Sequence, residues 1–262
     1  MESHSSRFKR KNKLSELNTF WPGNIIANLY TRKQTQFIKR FDHFVVLTEE
    51  DRKQWSNLKD NISVIPNILE YQDPINIDYS NKRIIGVGRL SGAKAWEYLI
   101  KIWASIAHEY PQWKVDIFGD GHKEHFLRKL IKKYNIQDSF QIHQSTPHIK
   151  EEYAKSSIFV MTSRYEGLPM VLIEAMGLAL PPVTFTFKCG PKDTIEHNKT
   201  GFLVKLFDTK GFAHTLKKLM DSEELRKQIG QAAQKEVREK YNKKTIMDKW
   251  IKLFKELKYR SE

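Results

Sequence analysis

From residue 43 onward, short apolar runs alternate with stretches whose apolar side chains recur every three to four positions. Phe44–Leu47, Ile62–Ile65, Arg83–Gly88, Val115–Phe118, Phe140–His143, Ile158–Met161, Pro182–Phe185 and Gly201–Val204 read as strands, each short enough to be buried in a sheet. Between them, Trp96, Leu99, Ile100, Trp103, Ile106 and Ala107 define one helix. Others run from Gly121 to about Tyr134, Ile149 to Lys155, Pro169 to about Leu180, 209–220 and 222–239. Strands separated by helices demand crossover connections. This predicts right-handed βαβ units and a doubly wound parallel sheet, an α/β fold. Such sheets bind ligands beyond the carboxyl ends of their strands, where the loops that follow must carry any chemistry.

Composition narrows the class. The 262 residues are 40% hydrophobic and 29% charged, as in a soluble globular chain of one large or two modest domains. A single cysteine, Cys189, leaves no internal disulfide and fits a reducing compartment. No apolar run spans a bilayer, and the basic N-terminus lacks the apolar segment of a signal peptide. The expected location is therefore the cytoplasm. The net charge of +14 is clustered: Arg7 to Lys13, then Arg32 to Arg40, then Lys243 to Lys258. Such runs are ordinarily solvated faces. Interleaved with Phe8, Phe20, Trp21, Trp250 and Phe254, they also suit the anionic inner face of a membrane, with the protein held peripherally. No nucleic-acid reading motif is present, so nucleic acid is not the expected partner.

The most telling loop follows strand 158–161. In Ser163-Arg-Tyr-Glu-Gly-Leu-Pro-Met-Val-Leu-Ile-Glu-Ala-Met-Gly177, Glu166 lies before the helix and Glu174 two turns inside it. Pro169 suits a helix start, since its φ is fixed and its missing N–H would be unpaired there anyway. The free N–H groups of that start favour an anion such as a diphosphate. Two carboxylates that accept from hydroxyls, flanking a phosphate seat, would suit a nucleotide sugar. Two glutamates on a loop and helix are more often solvated, but Glu174 stands in an otherwise apolar helix.

Arg89 directly follows strand 83–88, and Lys94 stands near the next helix start. A planar fork and a point charge could together hold a diphosphate; two solvated cations are an equal reading. Gly119 and Gly121 allow close backbone approach, as a base or ribose requires, or simply form a turn. His122 and His125 lack further ligands and read as surface.

Taken in order, Gly88-Arg-Leu…Lys94, Phe118-Gly-Asp-Gly121, Tyr153-Ala154, Ser163-Arg-Tyr-Glu-Gly-Leu-Pro-Met…Glu174-Ala-Met and Gly190-Pro…Gly201-Phe-Leu-Val204 resemble glycosyltransferase family 4, of the two-Rossmann-domain GT-B group. The resemblance covers about 83–260. It implies that Arg89 and Lys94 bind the donor diphosphate and stabilise the departing charge. It implies that Glu174 holds the ribose hydroxyls and that Glu166 stands beside the transferred sugar. Gly167, Leu168, Pro169 and Met170 would form the phosphate loop, with Gly119 and Gly121 near the nucleotide. The implied reaction is retaining transfer from a nucleotide sugar, chiefly a UDP-sugar, to a saccharide or lipid-linked acceptor. Polysaccharide or glycolipid synthesis is the expected context. No metal or other cofactor is implied, and the chain has no Asp-x-Asp motif.

The family's usual Glu-Lys-Gly is Ala93-Lys94-Ala95 here, and Thr186 stands where an Asp is common. The expected division is a remnant of an acceptor-side Rossmann domain over 1–80, a donor domain over 81–240 and, over 241–262, a C-terminal amphipathic helix packing back toward the N-terminal part. Glu2-Ser-His4 resembles the strand end that carries an active-site His, so His4 joins the candidate site. On this reading the chain begins in mid-domain. It is then either an active transferase, alone or with a complementary N-terminal half, or a protein that binds nucleotide without transfer. Residues 70–82 read as a linker. Ile246, Trp250, Phe254 and Leu257 should form the packing face of the last helix.

Overall fold

The computed structural model describes residues 40–56, 60–70, 75–187 and 190–258. Contacts divide the chain into a small unit, within 1–45 and 53–63, and a large one, 46–52 with 64 onward. Strands β1 (Phe44–Val46) and β2 (Ile62–Val64) form a two-stranded sheet. Within the small unit, the Phe44 N–H donates to Asn61 O, and Phe44 meets Trp55 edge-on at 5.6 Å. Helix α1 is Glu49–Trp55.

The large unit is built on six parallel strands: β3 (Arg83–Val87), β4 (Lys114–Phe118), β5 (Phe140–His143), β6 (Ile158–Met161), β7 (Pro182–Thr186) and β8 (Phe202–Lys205). Their order across the sheet is β5-β4-β3-β6-β7-β8. The connecting helices are α2 (Trp96–Ile106), α3 (Glu124–Lys133), α4 (Ile149–Ala154), α5 (Met170–Gly177) and α6 (Pro191–Thr194). Three more follow β8: α7 (Thr209–Asp221), α8 (Glu223–Lys240) and α9 (Lys243–Lys258).

Strand alternation splits the core in two. Ile84, Val115, Ile117 and Val160 face a layer built from α2, α3 and α7, with Trp96, Trp103, Leu127 and Phe212 buried in it. Ile85, Phe118, Phe159 and Met161 face the opposite layer, made with Leu172, Ile173, Met176, Ala233 and Val237 of α5 and α8. Each buried Leu or Ile contributes about 1.5–3 kcal/mol, so the six buried residues of α2 alone fix that helix firmly.

Three expectations change. Helix α5 begins at Met170, with Pro169 as its N-cap, and ends at Gly177 rather than near Leu180. Ala179 turns left-handed (φ 65°), its N–H donating to Met176 O and that of Leu180 to Ala175 O. This closing pattern satisfies two terminal carbonyls. Ala is a poor signal for it, so the apolar run conceals the stop. The expected 70–82 linker is packed over its described residues from 75 onward: Ile77 and Tyr79 are buried, and the Tyr79 hydroxyl donates to Ala179 O. Their two side chains alternate with polar neighbours over too short a span to stand out. In α9, Ile246 and Leu253 are the buried pair, while Phe254 is 61% exposed. Among the described residues, no helix is long and apolar enough to cross a membrane.

Candidate active site

The strand order reverses direction between β3 and β6, because β4 and β5 extend the sheet one way and β7 and β8 the other. Loops leaving the carboxyl ends of β3 and β6 therefore diverge to opposite faces and open a crevice, the usual ligand position in such sheets. Arg89 and Lys94 lie on the first loop. Glu166 lies on the second.

The two loops are tied together by the backbone. The Arg164 N–H donates to Ala93 O at 2.8 Å, and Thr162 Oγ donates to Lys94 O at 3.2 Å. With the loops so held, Lys94 Nζ meets Glu166 Oε1 at 2.6 Å, both side chains largely buried. Ser163 Oγ donates to the same carboxylate oxygen at 2.8 Å. Arg164 adds a second clamp. Its Nη2 donates to Glu97 Oε1 of α2 at 2.8 Å, and its guanidinium lies over the Tyr98 and Phe207 rings.

Glycine makes room for these contacts at two places. A Cβ on Gly88 (φ +147°) would lie 2.7 Å from Lys94 Cε, so the lysine stem can lie against that backbone. A Cβ on Gly119 (φ +156°) would lie 2.1 Å from Gly88 O. The space Gly119 leaves is thus filled by the cation loop itself, and Gly121 meets Leu90 O in the same way. Gly119→Ala should therefore cost about 2–4 kcal/mol, from clash and backbone strain together. Urea unfolding measures this, and a loss under 1 kcal/mol would show that the loop yields.

Glu174 projects from α5 and is half-buried. Burial raises the pKa of its carboxyl, the negative charge of Glu70 adds to the rise, and Lys94 opposes it. Lys94 is thus close enough to act on both glutamates. At the start of α5, the Met170 and Val171 N–H groups have no acceptor among the described residues, while those of Leu172 and Ile173 are taken by Pro169 O. Two N–H groups remain for an anion. Leu168 and Pro169 are buried beneath the loop, Gly167 is exposed and Met170 half-buried.

Arg89 is exposed, with no ion pair for its side chain among the described residues; its carbonyl accepts from Trp96 Nε1 at 3.1 Å. Ala95, the departure from the expected glycine, is fully buried and left-handed (φ 50°). Thr186 Oγ donates to Val204 O, between β7 and β8. His122 and His125 are exposed, and no group of three or more His, Cys, Asp or Glu suited to a metal occurs among the described residues. His4 and Cys189 lie outside the described residues. Sequence reasoning missed Thr162, Ser163, Arg164 and Glu97. Only their position within and opposite the glutamate motif could have suggested them.

A parallel α/β sheet with cations on one switch-point loop and carboxylates on the other places this chain in the class of doubly wound α/β domains with a charged crevice at the switch point. The match to the family model described as glycosyl transferases group 1, over residues 67–236, places the chain in that family. Among curated relatives, the amylovoran biosynthesis glycosyltransferase AmsD of Erwinia amylovora is 36% identical over 216 residues, covering 79% of this chain and 60% of AmsD. An uncharacterized glycosyltransferase of Haemophilus influenzae is 33% identical, covering 80% of this chain and 60% of its own length. A solved structure of a TarM mutant from S. aureus, in complex with fondaparinux, alpha-GlcNAc-glycerol and UDP, superposes with a TM-score of 0.80 at 27% identity. That match covers 85% of this chain and 46% of TarM. The chain spans about 60% of the length of these two curated relatives.

Proposed function

We propose that this chain carries the donor site of a retaining, family 4 glycosyltransferase, which takes sugar from a UDP-sugar to a saccharide or lipid-linked saccharide in polysaccharide or glycolipid synthesis. The observation that carries this reading is the meeting of Lys94 with Glu166 at the sheet's switch point, with Glu174 within electrostatic reach of the same lysine. The UDP held by TarM and the polysaccharide role in AmsD's name lend support. Residues 81–240 would form the donor domain.

In this reading Lys94 exchanges its contact with Glu166 for the diphosphate, while the free fork of Arg89 and the Met170 and Val171 N–H groups hold the remaining phosphate oxygens. Glu174 accepts from the ribose hydroxyls. Glu166, released from Lys94, faces the sugar and orients it. The anomeric C–O bond to phosphate breaks, a new C–O bond forms to the acceptor oxygen on the same face, and the acceptor proton passes to the departing diphosphate. Fixed cations and N–H dipoles supply the charge stabilisation, and no step calls for a metal.

A thermal-shift panel of UDP, GDP, UDP-glucose and UDP-N-acetylglucosamine tests the donor site. UDP and at least one UDP-sugar should raise the melting temperature by about 5–10 °C at a hundredfold excess over Kd. No rise with any of the four would sink the reading. Release of sugar from a UDP-sugar then separates a transferase from a chain that only binds nucleotide, whose activity would need a complementary partner.

A further inference from the structure

The turn between β8 and α7 holds a residue that is doubly out of place there. Phe207 is left-handed (φ 65°), a costly conformation for a bulky side chain, and its ring is 42% exposed. Backbone strain of this kind persists only where the surroundings enforce it. The ring stacks on Tyr98 of α2 at 4.9 Å, and the Arg164 guanidinium lies 5.5 Å from the centre of each ring. Arg164 Nε is buried without a hydrogen-bond partner among the described residues, which leaves the ring faces to offset part of the cation's desolvation. Its Nη2 reaches Glu97 Oε1 at 2.8 Å.

We infer that Phe207, Tyr98, Arg164 and Glu97 form a brace that aims Glu166, which makes Phe207 and Arg164 positioning residues for the transferred sugar. The inference rests on the donor-site reading. Only Tyr165 separates Arg164 from Glu166, so the seat of the guanidinium constrains the place of the carboxylate. Support is absent on the other side: Gly167 is exposed, and a Cβ there would meet nothing within 4 Å. In the unliganded crevice Lys94 and Ser163 hold the Glu166 carboxylate, but Lys94 is the contact given up to the diphosphate. Ser163 and the brace must then hold Glu166 toward the sugar. Ribose and diphosphate are met by other groups, Glu174, Arg89 and the start of α5. The brace should therefore matter for the sugar and hardly for UDP.

Calorimetric titration tests this, with UDP and with whichever of UDP-glucose and UDP-N-acetylglucosamine stabilises the wild type. The variants are Arg164→Met, Phe207→Gly and Phe207→Tyr, in the full chain. Glycine accepts the left-handed turn without strain, so Phe207→Gly removes the ring while keeping the melting temperature within about 3 °C of wild type. Arg164→Met and Phe207→Gly should each bind the UDP-sugar about tenfold more weakly and UDP within about threefold of wild type. Phe207→Tyr keeps the ring and should bind both ligands as wild type does. Amide exchange at Tyr165–Gly167, measured without ligand, should quicken in the first two variants alone. Equal losses for UDP and UDP-sugar, no loss for either, a tyrosine variant as weak as the glycine one, or unchanged exchange at 165–167 would overturn the inference. A wild type that binds neither UDP nor a UDP-sugar defeats the donor-site reading itself, and this inference with it, before any variant is compared.

Discussion

Glu174→Gln should erase most of the melting-temperature rise given by UDP, while leaving the unliganded protein at least as stable near neutral pH. The two effects have one cause. Burial, with the nearby charge of Glu70, raises the pKa of the Glu174 carboxyl against the opposing pull of Lys94. A raised folded pKa means that the folded state holds the proton more tightly than the unfolded one. The stabilisation from this group is full below the unfolded value of about 4.3 and is lost as pH climbs through the raised folded value. Above that, an ionised and half-buried carboxylate is a cost that glutamine avoids. Wild type should therefore lose stability relative to Gln as pH rises from about 4, and thermal melts of both proteins across pH measure this.

Ligand binding reverses the balance. A carboxylate accepting two ribose hydroxyls gains about 1.5–3 kcal/mol per bond, so its loss should weaken UDP by about a hundredfold or more. UDP at a hundred times the wild-type Kd would then barely reach the variant's Kd, and the shift would fall to about 1 °C. If the Gln variant keeps the full UDP shift, Glu174 is not a ribose ligand. If it instead melts well below wild type without ligand, the residue is structural.

Arg226→Ala should be the most destabilising single change in the large unit. Arg226 is 0% exposed, yet no carboxylate is in ion-pair contact with it among the described residues. Its guanidinium lies 5.2 Å from the Trp113 ring, and its nitrogens donate to Tyr79 O, Leu219 O and Met220 O. The last two are carbonyls of the final turn of α7. Removing the side chain leaves three buried acceptors without this donor, at about 1–3 kcal/mol each, and a cavity besides. A loss of about 4–6 kcal/mol follows, much of a typical domain's stability. Urea unfolding should show a lower midpoint at an unchanged slope. Lysine should restore little of it, because one ammonium cannot reproduce the planar fork. A loss below 2 kcal/mol would mean that water replaces the guanidinium.

The strands and most helices were legible because burial imposes period two on a strand and 3.6 on a helix, and residues 83–205 keep to those periods. The approach of Lys94 to Glu166 was not legible, since the two residues stand on different loops, although each is marked in the sequence by its motif. The stop after Gly177 was not, because Ala179 takes the left-handed turn without the usual glycine. The sequence places Phe254 on the packing face of α9, since Ile246, Trp250, Phe254 and Leu257 share one broad stripe. Only the neighbours it meets determine which part of that stripe is buried.

By itself, the sequence determined the alternation of elements, the sign of the charges on each loop and the family those loops belong to. Tertiary structure alone decided that Lys94 closes on Glu166, that Thr162 and Arg164 tie the two loops, and that the glycines near Gly119 serve the cation loop. Periodicity is a local property, set by each residue's own backbone. Which distant loops meet depends on strand order, and strand order is set by the packing of the whole sheet.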